Sequence, residues 1–284
     1  MTVINTNIGA TITANALAKN ERAMNTAMER LSTGKRINSA ADDAAGLAIS
    51  QRLNAQVKGL DQAARNANDA ISMLQTADGA AIEITNMLQR MRELAVQATS
   101  NSNTTDDVAN LDLEFKALAE EIDRIVDATQ WNGESILDGT GGTTGTFTYQ
   151  IGANDGQTID VDFNDFNLAA GATGVMGADI SGMVAAPATI DTSTANIIAT
   201  LDTAISGVTT QRATFGAVMN RLEYTVDNLR NISQNTSASM SRISDADYAA
   251  ETTELARTQI IQQAGTAMLS QANQQAQSVL ALLK

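Results

Sequence analysis

Apolar side chains return along this chain at alternating steps of four and three residues. From Ala44 to about Thr99 the clearest series is Met73, Ala77, Ala80, Ile84, Met87, Met91, Leu94 and Ala98. A seven-residue period belongs to a helix that winds against a partner. No proline interrupts the stretch, and Ala, Leu, Gln, Arg and Met outweigh Gly46, Gly59 and Gly79. One helix of this length spans on the order of 80 Å and needs neighbours all along it.

The same period opens the chain. Val3, Ala10, Leu17, Met24 and Leu31 fall seven apart, with Met28 between the last two. This predicts a helix that begins within the first dozen residues and stops at Gly34, before Lys35 and Arg36. Ser39-Ala-Ala-Asp42 has the form of a capping box and is expected to start the long rod. A polar turn at Ser100-Asn-Ser-Asn103 ends it. Thr104 or Thr105, with Asp106 and Asp107, caps a helix carrying Val108, Leu111, Phe115, Leu118, Ile122 and Ile125, which folds back as an antiparallel hairpin and closes at Asp127 to Gln130.

The texture then changes. Trp131-Asn132-Gly133 signals a turn, since Asn-Gly accepts positive φ. Phe147, Tyr149 and Ile151 alternate with polar residues, as do Ile159, Val161 and Phe163, around Gly152-Ala-Asn-Asp-Gly156. That is a β-hairpin by pattern and turn chemistry. Residues 164–193 are rich in Gly, Ala and Thr and read as loop with at most one more short strand. After Thr192-Ser193-Thr194 a second rod carries Leu201, Val208, Phe215, Leu222, Leu229, Thr236 and Ile243 every seventh residue, with Ile198, Ile205, Met219, Val226 and Met240 beside them. Past Ser244-Asp245, a last helix holds Leu255, Ile260, Ile261, Ala264, Met268, Leu269, Ala272, Val279 and Leu283.

The expected fold is mainly α: long antiparallel helical rods, coiled-coil terminal helices and a small β-hairpin insert at about 131–190. The elements have mirror order, so both termini should lie at one end. Neither terminal helix can bury its seam on the other without leaving apolar surface, and long exposed seams predict assembly.

Composition narrows the chemistry. The chain of 284 residues has 18 Lys plus Arg against 32 Asp plus Glu, a net charge of -14. This lacks the basic footprint of a nucleic-acid binder. With no Cys and no His, disulfides, thiol catalysis, imidazole general bases and Cys/His zinc sites are excluded. No apolar run approaches the ~20 residues of a membrane span. The opening residues lack a basic region and an apolar segment, so no signal peptide of the usual type is expected.

Three local patterns lack the residues that would make them sites. Ser32-Thr-Gly-Lys35 fits Ser-x-x-Lys, but its companion motifs are missing and it closes a helix. Gly34-Lys35 lacks the earlier glycine of a P-loop. Asp155, Asp160, Asp162 and Asp165 lack EF-hand spacing, and Asp160 and Asp162 fit the polar face of a strand. No nucleophile–base pair emerges, so no enzyme, metal or cofactor is expected.

Several segments in one order resemble bacterial flagellins. They are Val3-Ile-Asn-Thr-Asn7, Glu29-Arg-Leu-Ser-Thr-Gly-Lys-Arg-Ile-Asn-Ser39, Asp42-Asp-Ala-Ala-Gly-Leu-Ala-Ile49, Arg65-Asn-Ala-Asn-Asp69 and Leu88-Gln-Arg-Met-Arg-Glu-Leu-Ala-Val-Gln97. Gly152-Ala-Asn-Asp-Gly156, Ser241-Arg-Ile-Ser-Asp-Ala-Asp-Tyr248, Gln259-Ile-Ile-Gln-Gln-Ala-Gly265 and Gln271-Ala-Asn-Gln274 continue the match. The likeness covers roughly 1–165 and 195–284. It implies a minimal form, because the interval after the hairpin is too short for an added outer domain.

The resemblance implies a structural subunit of the flagellar filament, extracellular, exported through the flagellar type III route without cleavage. It implies an inner coiled-coil domain from 1–40 and 244–284, and an outer helical domain from 41–243. Val3, Leu17, Met24, Leu31, Ile261, Met268, Leu269, Val279 and Leu283 are then the candidate filament-core residues. Implied partners are other copies in a helical homopolymer, an export chaperone, the filament cap and the junction proteins. By resemblance, Gln89, Arg90, Leu94 and Glu114 match the determinant read by Toll-like receptor 5 of animal hosts. Without it, Arg90 and Glu114 read equally as solvated charges on adjacent helices. Alternatives are a hook–filament junction protein, present in few copies, and a secreted binding module using the β insert.

Overall fold

The computed structural model describes residues 7–100, 102–167 and 197–281 of the 284. Its helices are α1 (Ile8–Thr33), α2 (Ala44–Ala98), α3 (Thr105–Ala128), α4 (Ile197–Ser244) and α5 (Tyr248–Ala281). Two antiparallel hairpins lie between α3 and α4: β1 (Gln130–Trp131) with β2 (Glu134–Ser135), and β3 (Thr146–Gln150) with β4 (Thr158–Asp162). The expected further strand within 164–193 falls largely outside the described residues. The chain packs as two units, one of 1–57 with 234–284 and one of 58–233. The divisions fall inside α2 and α4.

Local chemistry sets the element ends. Asn7 caps α1 by accepting the Ala10 N–H at 3.0 Å. Gly34 stops α1 with φ 71° and donates its N–H to the Arg30 carbonyl, a left-handed turn that favours glycine. Thr104 caps α3 through a reciprocal capping box with Asp107. These Thr104 hydrogen bonds also hold the Asp107 carboxyl below its ordinary value.

The start of α2 differs from expectation. Asp42 Oδ2 accepts the Asn38 and Ser39 N–H groups and the Ser39 hydroxyl, closing a turn ahead of the helix. The cap is Asp43, whose Oδ1 accepts the Gly46 N–H at 2.8 Å. The Ser39–Asp42 box therefore shapes the approach, and the next carboxylate starts the rod.

The core of unit 58–233 is the seam of α2 closed by α3, α4 and the hairpins. Two ion pairs and one hydrogen bond mark the direction of packing. Arg92 meets Asp202 at 2.5 Å, Asp78 meets Arg212 at 2.7 Å, and Asp61 meets Ser233 at 2.8 Å. The partner advances along α4 as the position retreats along α2, so the two helices are antiparallel. The buried face of α2 is wider than the expected single seam. Leu60, Ala67, Leu74, Ala81, Leu88 and Ala95 form one buried row, and Ala63, Ala70, Ala77, Ile84, Met91 and Ala98 another. Ala80 and Met87 are only half-buried.

Trp131-Asn132-Gly133-Glu134 forms the two-residue hairpin its sequence demands, with φ 53° at Asn132 and 85° at Gly133. In the larger hairpin Phe147 faces Val161 and Tyr149 faces Ile159. Asn66 on α2 donates to the Gln150 carbonyl at 3.0 Å, and Gln211 on α4 donates to the Asp162 carbonyl at 2.6 Å. The hairpin is thus bonded to both long helices.

Tyr149 gives this unit an alkaline limit. Its hydroxyl points at Met73 Sδ, and burial, then the nearby Asp69 and Glu134 charges, push its pKa up to about 12 from 10.0. Below the unfolded value its contribution is fully present. Between the two values the unfolded chain releases the proton and the folded chain keeps it, so stability falls as pH rises. Tyr149→Phe should remove this slope and leave a pH-independent offset. Denaturation midpoints of both proteins between pH 9 and 12 check it.

Candidate functional site

The terminal helices α1 and α5 pair in antiparallel fashion within unit 1–57/234–284. Ala10, Thr13, Leu17, Asn20, Met24, Ala27 and Leu31 line the contact side of α1 at steps of three and four. Glu251, Leu255, Thr258, Gln262, Gly265, Leu269 and Ala272 do so on α5. The seam is unusually polar. Buried Asn20 donates to the Thr258 carbonyl at 2.7 Å and to Gln262 Oε1 at 3.2 Å. Asn7 donates to the Ala272 carbonyl at 3.1 Å, and Arg30 pairs with Glu251 at 3.0 Å. A buried amide inside an otherwise small or apolar seam fixes register, because a slip would leave it unpaired. At Gly265 a Cβ would stand 2.8 Å from Leu17 Cδ1, so a side chain there would have to displace the Leu17 methyl group.

The turn regions are tied as well. Arg36 N donates to the Ser244 carbonyl at 2.7 Å, its guanidinium to the Ile243 carbonyl at 2.8 Å, and Ala246 N to the Gly34 carbonyl at 3.0 Å. The Tyr248 hydroxyl donates to the Leu31 carbonyl at 3.1 Å. Charge, hydroxyl and backbone together hold the exits of α1 and α4 against the start of α5.

The expected core-packing residues divide into two groups. Leu17, Met24, Leu31 and Leu269 are partly buried in the α1–α5 seam. Ile261 and Met268 point away from it and are 41% and 64% exposed. Ile260 on α5 and Ile8, Ile12 and Met28 on α1 are exposed too. Apolar side chains thus cover both the α1-facing and the outer side of α5. Val3 and Leu283 lie outside the described residues, as does the Val279 side chain. The polar members Asn20, Thr258, Gln262 and the Arg30–Glu251 pair were missed from sequence. Their signal was polar residues placed at heptad positions.

The receptor-type residues separate by depth. Gln89, Arg90 and Glu114 are exposed, and Arg90 Nε bonds Glu114 Oε1 at 2.9 Å across α2 and α3. Arg90 also reaches Glu93 at 3.0 Å. The Glu114 hydrogen bond first, then that to Glu93, raises the Arg90 pKa. Leu94 is 1% exposed and belongs to the core.

Among the described residues no group of His, Cys, Asp and Glu could hold a metal ion, and no helix is long and apolar enough to cross a membrane. What the fold presents is a large interlocked helical unit and a terminal helix pair with an unpartnered apolar side, the build of a self-assembling structural subunit. The family profiles and the curated relatives agree. The profile described as bacterial flagellin N-terminal helical region matches residues 4–141, and that of the bacterial flagellin C-terminal helical region matches 198–283. A flagellin of Halalkalibacterium halodurans is 46% identical over 282 residues, covering 99% of this chain and 100% of that protein. One from Bacillus subtilis is 43% identical, covering 99% of each. The crystal structure of Bacillus cereus flagellin aligns with TM-score 0.47 at 36% identity, covering 58% of this chain and 88% of that one.

The chain belongs to the bacterial flagellin family. It is a minimal flagellin, a structural subunit that self-assembles into the extracellular flagellar filament.

Proposed function

We propose that the outer side of the α1–α5 pair, carrying Ile12, Ile260, Ile261 and Met268, is covered by other copies of the chain in the filament. The observation that carries this reading is the exposure of those side chains on α5, whose other side is already occupied by α1. Burying one Ile or Met side chain contributes about 1.5–3 kcal/mol, so repetition along a polymer gives a large driving force. In this reading 1–40 with 244–284 form the inner layer and 41–243 the outer one. Val3, Val279 and Leu283 extend the inner packing. Contacts that repeat head to tail without closing give an open helix.

The same α5 face, before assembly, suits an export chaperone, and growing ends suit the cap and junction proteins. Export without a cleaved leader is part of this proposal. A host receptor of the Toll-like receptor 5 kind would touch Gln89, Arg90 and Glu114 directly, while Leu94 would support that surface from beneath.

Ile261→Asp tests the packing proposal. A charge at an exposed site should leave the monomer's helicity unchanged and raise the concentration needed for filament growth by at least about tenfold. Normal growth of this variant on filament seeds would refute it.

A further inference from the structure

Among the described residues Met28 and Met268 are the exposed methionines, 49% and 64% open, whereas Met73 and Met91 are 1% and 0%. Both exposed thioethers belong to the terminal helix pair. Met268 follows the α1-facing Gly265 and precedes the α1-facing Leu269, so it borders the seam on its outer side. The Asn7–Ala272 and Asn20–Thr258 hydrogen bonds bracket Met268 and Ile12, placing them at one level of the pair. With Ile261 seven residues earlier, Met268 continues the unpartnered apolar side of α5.

We propose that Met268, with Met28 as a second site, is a peroxide-sensitive modification site that gates assembly; this rests on the packing reading above. A peroxide transfers one oxygen atom to the sulfur lone pair. The O–O bond breaks, an S–O bond forms, sulfur is oxidised by two electrons, and the peroxide leaves as water. The product sulfoxide is polar and chiral, where the thioether was flexible and apolar. Covering it between subunits would strand a strong acceptor in an apolar contact. The free subunit is the sensitive form, because its two thioethers are open. In the filament Met268 is the protected site, because the packing between copies covers the side that carries Ile261 and Met268. The chain has no cysteine to react first.

The test uses full-length protein, hydrogen peroxide and unmodified filament fragments as seeds. Mass-spectrometric peptide mapping should find oxygen gained at Met28 and Met268 before Met73 and Met91 in the free subunit, and much less at Met268 in filaments. Elongation by the oxidised subunit should fall about tenfold or more, while the Met28→Leu/Met268→Leu double variant should elongate after the same treatment. Full oxidation at both sites with unchanged elongation would overturn the inference alone. A Met28→Gln/Met268→Gln variant that elongates at the unmodified rate would overturn the packing reading as well.

Discussion

Deleting residues 245–284 is expected to abolish filament formation at every concentration while leaving a soluble chain. The deletion removes α5, and with it Ile260, Ile261 and Met268, which stay exposed among the described residues. It also strips α1 of its partner. Asn20 loses the Thr258 carbonyl and Gln262, Arg30 loses Glu251, and Leu17, Met24 and Leu31 lose the helix they pack on. Most helical stability in proteins comes from packing of one face rather than from propensity, so α1 without its partner should fray. The unit of 58–233 keeps its own core and should keep its helicity. Circular dichroism should therefore show a loss confined to the terminal pair, and electron microscopy should show no filaments. Filaments from the truncated chain would remove α5 from the mechanism.

Phe215→Ala is expected to destabilise unit 58–233 by about 3–5 kcal/mol, the range for deleting a buried phenyl ring and leaving its cavity. Phe215 is fully buried on α4. Its ring centroid lies 5.4 Å from Phe163 and 6.4 Å from Phe166, and Phe163 meets Phe147 edge-on at 5.3 Å. One ring therefore joins a long helix to the hairpin and to the segment that follows it. Four of the five phenylalanines meet in this cluster, so deleting one ring opens a cavity among large, rigid neighbours. Tyr224→Ala, on the same helix but exposed, should stay within about 0.5 kcal/mol. Urea midpoints of the two variants separate packing from helix propensity. Equal effects would mean that Phe215 is not a packing centre.

The heptads revealed the long helices, their order and the antiparallel return, because a repeat sustained over many turns has few other readings. Capping chemistry placed Gly34 and narrowed the start of α3 to Thr104 or Thr105, and Asn-Gly placed the short hairpin. The width of the α2 core face was not legible. A seam drawn for one partner included Ala80 and Met87 and omitted Leu74, Ala81, Leu88 and Ala95. That helix packs against α3, α4 and a hairpin together, so its buried arc exceeds one stripe. The α1–α5 seam was partly hidden for the opposite reason. An apolar search passes over Asn20, Thr258 and Gln262, although their spacing fits the heptad. It also cannot tell which apolar residues meet α1 and which remain outside. Only the structure separates Leu269 from its neighbour Met268.

On the packing proposal, other copies of the chain complete the outer side of the terminal helix pair. The most direct measurement is light scattering and electron microscopy of the full-length protein at rising concentration, with filament fragments added as seeds and helicity followed alongside. The expected result is a concentration threshold and long filaments growing from the seeds, with the terminal helices already formed in the free chain. A chain that stays monomeric at every concentration and ignores the seeds would contradict this.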